Sequence, residues 1–146
     1  MIRSLAAFAL LATTLPSAAL ALPDRWSSGF NQGILEYSVG PFGPEASNLI
    51  LSCKGSELDI AVAIGGVAPP SNSLITYKVG RLTETIRVGK DGWARFRNAY
   101  REPQIQRLWA AFRSGATATV IYPGGASHAF PLRDSGKVMS ASVCAP

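Results

Sequence analysis

The 146-residue sequence is poor in the residues most enzyme chemistry is built from. Histidine occurs once, at His128, and cysteine twice, at Cys53 and Cys144. A lone histidine on a strand edge reads as a surface residue, so no metal ligand set and no other cofactor is expected. There is no G-x-S-x-G elbow to expose a serine nucleophile. Ser127 adjoins His128, but strand neighbours point to opposite faces and cannot form a dyad as they stand. Gly65-Gly66 and Gly124-Gly125 lack the G-x-x-x-x-G-K-[ST] spacing of a phosphate loop and read as turns. There is no internal repeat and no long linker. No stretch beyond Ala21 is long and apolar enough to cross a bilayer as a helix.

The opening segment, Met1 to Ala21, reads as an export signal. Arg3 supplies a positive start, residues 5–15 an apolar run, Pro16-Ser17 a break, and Ala19-Leu20-Ala21 a small-x-small cleavage site. The mature chain is expected to begin at Leu22, in the periplasm or outside the cell, with residues 22–146 forming one domain. Nucleic acid is not an expected partner there. No cysteine follows the apolar run closely enough for a lipid anchor. Removing residues 1–21 takes away one base, Arg3, and no acid, so the formal charge falls from +5 to +4. In an oxidising compartment two cysteines imply one disulfide, Cys53–Cys144.

Downstream, short apolar or β-type runs between turn residues predict strands over residues 34–39, 48–54, 57–64, 74–79, 82–88 and 93–97. Residues 57–64 alternate strictly, with Leu58, Ile60, Val62 and Ile64 on one face and Glu57, Asp59, Ala61 and Ala63 on the other. Glu57 and Asp59 share that second face, among small residues. Nothing apolar there would raise one carboxyl into a general acid, so the pair reads as solvated. Pro103 opens a helix whose Ile105, Leu108, Trp109 and Phe112 form one apolar stripe, and Gly115 follows its end. A hairpin over 116–122 and 127–132 comes next, with Pro131 confining its second strand to an edge or an end. Asp134 is expected to cap a short helix carrying Val138, Ala141 and Cys144. Residues 22–31 read as an irregular opening segment anchored by Trp26 or Phe30. The fold class is β-rich α+β: a curved antiparallel sheet, partial barrel or sandwich, packed by one amphipathic helix with a short C-terminal helix.

Charge is uneven. Between Lys78 and Arg113 lie nine bases and three acids. Trp93, Arg95 and Arg97 share one face of a strand, and Lys78 and Arg87 extend it if they lie on neighbouring strands. Arginines beside an exposed tryptophan suit a binding surface for an anionic cell-wall or lipid component, or for an envelope protein. The bland reading is a solvated face.

The order of features resembles a known set of proteins. An export signal precedes Leu49-Ile50-Leu51-Ser52-Cys53-Lys54 and an alternating strand. Tyr77-Lys78-Val79, Trp93-Ala94-Arg95-Phe96 and the helix around Leu108 follow. Phe130-Pro131-Leu132, Asp134-Ser135-Gly136-Lys137 and Cys144 close the series. This is similar to small exported proteins of Gram-negative bacteria, the type VI secretion-associated accessory proteins and, more loosely, the invasion-associated locus B family. The resemblance covers about residues 49–144. It implies a non-catalytic periplasmic protein with a disulfide-stapled β fold and offers no catalytic residues to carry over. Periplasmic lysozyme inhibitors share the size, signal and disulfide, but Ser114-Gly115 is not followed by their tyrosine until Tyr122. The sequence therefore points to a non-catalytic exported binding or accessory module. The alternatives are an inhibitor of lysozyme or another hydrolase, and a small envelope hydrolase using His128.

Overall fold

A computed structural model describes residues 24–145. The export signal and the cleavage point at Ala21 lie outside the described residues. Among the described residues, nine strands form two antiparallel sheets. The first sheet holds β1 (Ser27–Asn31), β2 (Ile34–Val39), β3 (Asn48–Lys54), β4 (Glu57–Ala63) and β7 (Ala94–Phe96), in the order β1-β2-β3-β4-β7. The second holds β5 (Leu74–Val79), β6 (Leu82–Arg87), β8 (Thr117–Ile121) and β9 (Ser127–Pro131), in the order β6-β5-β8-β9. A 12-residue helix, α1 (Pro103–Ser114), crosses between the sheets in sequence, and a four-residue helix, α2 (Ser135–Val138), follows β9. The expected β-rich α+β architecture is present, as two sheets rather than one curved sheet, and neither sheet closes into a barrel.

Alternation decides which residues face inward. Cross-strand rows of the first sheet's inner face read Tyr37-Leu51-Ile60-Ala94 and Val39-Leu49-Val62, all buried. Ile75, Tyr77 and Val79 face inward from β5, with Ala118 and Val120 from β8. Helix α1 fills the space between the sheets with the stripe read from its sequence. Its Ile105, Leu108, Trp109 and Phe112 meet Leu51, Leu58 and Ile60. Trp109 meets Tyr37 edge-on at 5.6 Å between ring centroids, and Phe112 meets Tyr77 of the second sheet at 6.2 Å. Each fully buried large aliphatic here contributes on the order of 1.5–3 kcal/mol. Polar ties complete the joint. Tyr122 Oη, just past β8, lies 3.0 Å from the Val62 carbonyl of β4, and Trp26 Nε1 donates to the Pro131 carbonyl at 2.9 Å.

Four expectations need correction. Residues 27–31 form a strand, although all five are exposed and show no apolar alternation. What specifies β1 is the two-residue turn Gln32-Gly33. Both residues have positive φ, which gives the hairpin turn that matches strand twist. Trp26 is the anchor of this segment, at 5% exposure, and Phe30 is 74% exposed. The strand expected over 93–97 is only three residues long. The Gly89 amide binds the Trp93 carbonyl at 2.8 Å, and the Trp93 amide binds Asp91 Oδ1 at 3.3 Å. Trp93 is therefore spent in a turn before the ladder begins. Asp134 does not cap α2: it sits at φ 64°, and its carboxylate takes Lys137 Nζ at 2.7 Å. That helix ends at Val138, so Ala141 and Cys144 are not on it. Gly115 does end α1, but in extended backbone. A side chain there would collide with Val79 Cγ1, so close packing is what requires glycine.

Candidate binding surfaces

The five residues expected to share one basic face do not share it: Arg95 lies on β7 of the first sheet, with Trp93 and Arg97 just outside that strand's two ends. Strand β7 has β4 as its neighbour, whereas Lys78 and Arg87 stand on β5 and β6 of the second sheet. Arg95 is on the outer face of the first sheet, and its charge is answered. Its Nη1 and Nη2 bind Asp91 Oδ1 and Oδ2 at 3.0 and 2.6 Å, and its Nε lies 3.8 Å from Asp59 Oδ2. The Arg95 hydrogen bonds hold the Asp91 carboxyl well down, to about 2. Burial pushes the Asp59 carboxyl up, against the pull of Arg95. Trp93 is half-buried, and Arg97 is exposed past the end of β7 beside Glu57 and Asp59. The remaining outward charges of this sheet are Glu36 and Lys54, with Ser52 Oγ donating to Glu36 at 3.4 Å. This face carries at least as much acid as base.

Lys78 and Arg87 do share a face, the outer one of the second sheet. Leu74, Thr76 and Lys78 point outward from β5, and Thr83, Thr85 and Arg87 from β6. The register sets Lys78 opposite Thr83 and Leu74 opposite Arg87. Their Cα atoms are thus about 14 Å apart at ordinary strand spacings. Thr117, Thr119 and Ile121 of β8 continue the rows. The one acid in the strands of this sheet, Glu84, is buried on the inner side. There it takes Arg107 Nε and Nη2 at 2.8 Å and Gln104 Nε2 at 3.0 Å, and the Arg107 hydrogen bonds lower its carboxyl. Neither Lys78 nor Arg87 makes an ion pair among the described residues; Arg87 Nη1 donates to the Asn72 carbonyl at 3.0 Å.

A third surface lies at the disulfide. Cys53 and Cys144 are bonded, with Cα atoms 5.2 Å apart across 91 residues of chain. The inner-face row Phe30-Leu35-Cys53-Leu58-Phe96 meets α1 at Leu58, and towards Phe30 it emerges from cover, with the segment tied down by Cys144 lying beside it. The remainder is an apolar groove of about 390 Å³ whose walls include Phe30, Leu35, Tyr100, Val143 and the disulfide. The Arg101 guanidinium stands 5.5 Å over the Tyr100 ring at its rim. Sequence reading missed this groove, because no local pattern shows that an inner-face row runs past its cover. Phe30, expected only as a possible anchor of the opening segment, instead stands exposed at the groove. His128 is exposed, with its ring 4.7 Å from that of Phe130. Among the described residues no group of three or more His, Cys, Asp or Glu could hold a metal ion, and no helix is long and apolar enough to cross a membrane.

These features define a disulfide-stapled, two-sheet α+β domain with charge segregated between its outer faces and an apolar groove at one end. The chain belongs to the YfjT family, whose model matches residues 24–139. No curated protein and no solved structure matches it.

Proposed function

We propose that this is a non-catalytic, exported binding module of the bacterial envelope, and that it holds an anionic cell-wall polymer on the outer face of its second sheet. The observation that carries the reading is the contrast in compensation. Among the described residues Lys78 and Arg87 make no ion pair and stand among threonine hydroxyls, with no carboxylate at the outward positions of their strands, whereas Arg95 is neutralised by Asp91 and Asp59. A flat face of separated cations and hydroxyls suits a linear polyanion, which gains ion contacts at intervals and hydrogen bonds between them. Trp93, Arg95 and Arg97 lie outside the proposed site. The disulfide and the signal-like opening residues support export. The exposed His128, with Ser127 on the opposite face of β9, supports a binding role over hydrolysis.

The test is titration calorimetry of the purified protein with dextran sulfate and with neutral dextran. Saturable binding to the sulfated polymer alone, weakened by Lys78→Ala with Arg87→Ala, is expected. Equal affinity for both polymers, or for wild type and double variant, would remove the proposed site.

A further inference from the structure

Four strands form the edges of the two sheets, and three of them are blunted. β7 has only three residues and carries Arg95. β9 ends in Pro131. On β6 the Thr85 carbonyl already accepts the side-chain amide of Gln104 at 3.0 Å. Such devices keep a sheet from pairing with other chains. β1 has none of them. Ser27–Asn31 holds no proline and no charge, and its register against β2 is unbroken from Ser27–Ser38 to Asn31–Ile34. α2 lies near β1, yet all five residues of the strand are exposed.

The ladder shows which groups are free. A two-residue turn closes on a hydrogen-bonded pair, here Asn31–Ile34, and antiparallel pairs then alternate. The amides and carbonyls of Ser28 and Phe30 therefore face away from β2. Each side of the strand also has a hollow. On the inner face is the mouth of the apolar groove beside Phe30. On the outer face is a hollow of about 360 Å³ formed by Gly29, Asn31, Ile34 and Glu36 among others. Gly29 has open space where a side chain would be, and no base pairs with Glu36 among the described residues.

We infer that β1 receives an extended polypeptide segment as a sixth strand of the first sheet, one in which apolar and basic residues alternate. Main-chain hydrogen bonds to Ser28 and Phe30 supply affinity, and the two faces sort the side chains. Apolar side chains land beside Phe30 at the groove mouth, and basic ones pass over Gly29 towards Glu36. A second copy of the chain fits less well, because its own β1 offers Ser27, Gly29 and Asn31 on the outer face and no base for Glu36. This surface is separate from Lys78 and Arg87, so the inference stands whether or not those residues bind a polyanion.

The probe is a labelled ten-residue peptide of alternating valine and lysine, followed by fluorescence anisotropy. Saturable binding is expected, with N-methylation of one alternate set of peptide amides weakening it about tenfold or more and the other set having little effect. Ser28→Pro, which removes one outward donor, is expected to weaken binding about tenfold, and Glu36→Gln about threefold. The N-methylated peptides test the same contacts on unaltered protein, so misfolding of the proline variant cannot mimic the result. Indifference to N-methylation overturns the inference, as does equal binding of an alternating valine–glutamate peptide. A dimer in sedimentation that Ser28→Pro dissociates also overturns it and gives the edge to a second copy.

Discussion

On the outer face of the first sheet Arg95 is gripped by Asp91 and faced by Asp59; on that of the second, Lys78 and Arg87 stand among threonines. Both faces arise from the same strand alternation. They differ because the second sheet sends its one strand acid, Glu84, inward to meet α1 through Arg107 and Gln104. One carboxylate on the inner side thus joins helix to sheet, and the outward positions of these strands carry no acid. The sheets are also secured differently: the first by a disulfide at its end, the second by that ion pair on its edge strand.

The largest effect is expected from the disulfide. Cys53→Ala with Cys144→Ala should destabilise the protein by about 2–5 kcal/mol, since a loop of this length confines the unfolded chain strongly. Denaturant melts measure the loss. Hydrogen exchange should place it at the Cys53 end of β3 and the C-terminal segment, with β5 and β6 still protected; uniform loss of protection would erase the distinction between the sheets.

The ion pair of the second sheet comes next. The Arg107 side chain is more than half exposed, so solvent screens the pair. Glu84→Gln should therefore cost about 1 kcal/mol at neutral pH. The carboxyl of Glu84 is lowered by folding, so its contribution is full above its ordinary value of 4.5 and is lost as acid protonates it. Asp91, held down to about 2 from 3.8, adds a loss in the same direction at lower pH. Asp59 is raised, so folding favours its protonated form and it offsets part of that loss. Stability of the wild type should therefore fall as pH drops from about 4.5 towards 2. Chemical denaturation across that range should show a flatter fall for Glu84→Gln.

The smallest effect concerns the centre, where the two sheets meet. Tyr77 is fully buried with no hydrogen-bond partner for its hydroxyl, and burial pushes its phenol well up. Tyr77→Phe should leave stability unchanged or raise it by about 1 kcal/mol. Tyr122, by contrast, has the Val62 carbonyl of β4 and the Val67 carbonyl of the following loop within 3.0 Å of its hydroxyl, and Tyr122→Phe should destabilise by a similar amount. Melting both variants side by side separates a satisfied hydroxyl from an orphaned one.

Much of the fold was legible because it rests on local periodicity. Leu58, Ile60 and Val62 alternate where β4 forms, and Ile105, Leu108, Trp109 and Phe112 recur at helical spacing where α1 forms. β1 was not legible, since a strand with no buried face leaves no apolar pattern and here depends on the turn at Gln32-Gly33. The candidate site was half legible. Lys78 and Arg87 were expected beside Trp93 on neighbouring strands, and they stand together at outward positions of β5 and β6 instead. Which sheet each strand joins is a long-range matter, and so is the pairing of Arg95 with Asp59, 36 positions earlier. The bidentate contact with Asp91 spans only four residues, but it needs the turn held by Gly89 and Gly92, which composition alone does not reveal.

On the proposed reading, the cations of the second sheet that make no ion pair among the described residues, and not the paired ones of the first, make the binding surface. The affinity of wild type, of Lys78→Glu with Arg87→Glu, and of Arg95→Glu for dextran sulfate over a salt series tests it most directly. The double variant should lose about tenfold or more at low salt and show a shallower salt dependence, while Arg95→Glu should stay within about twofold of wild type. An equal or larger loss for Arg95→Glu would contradict it.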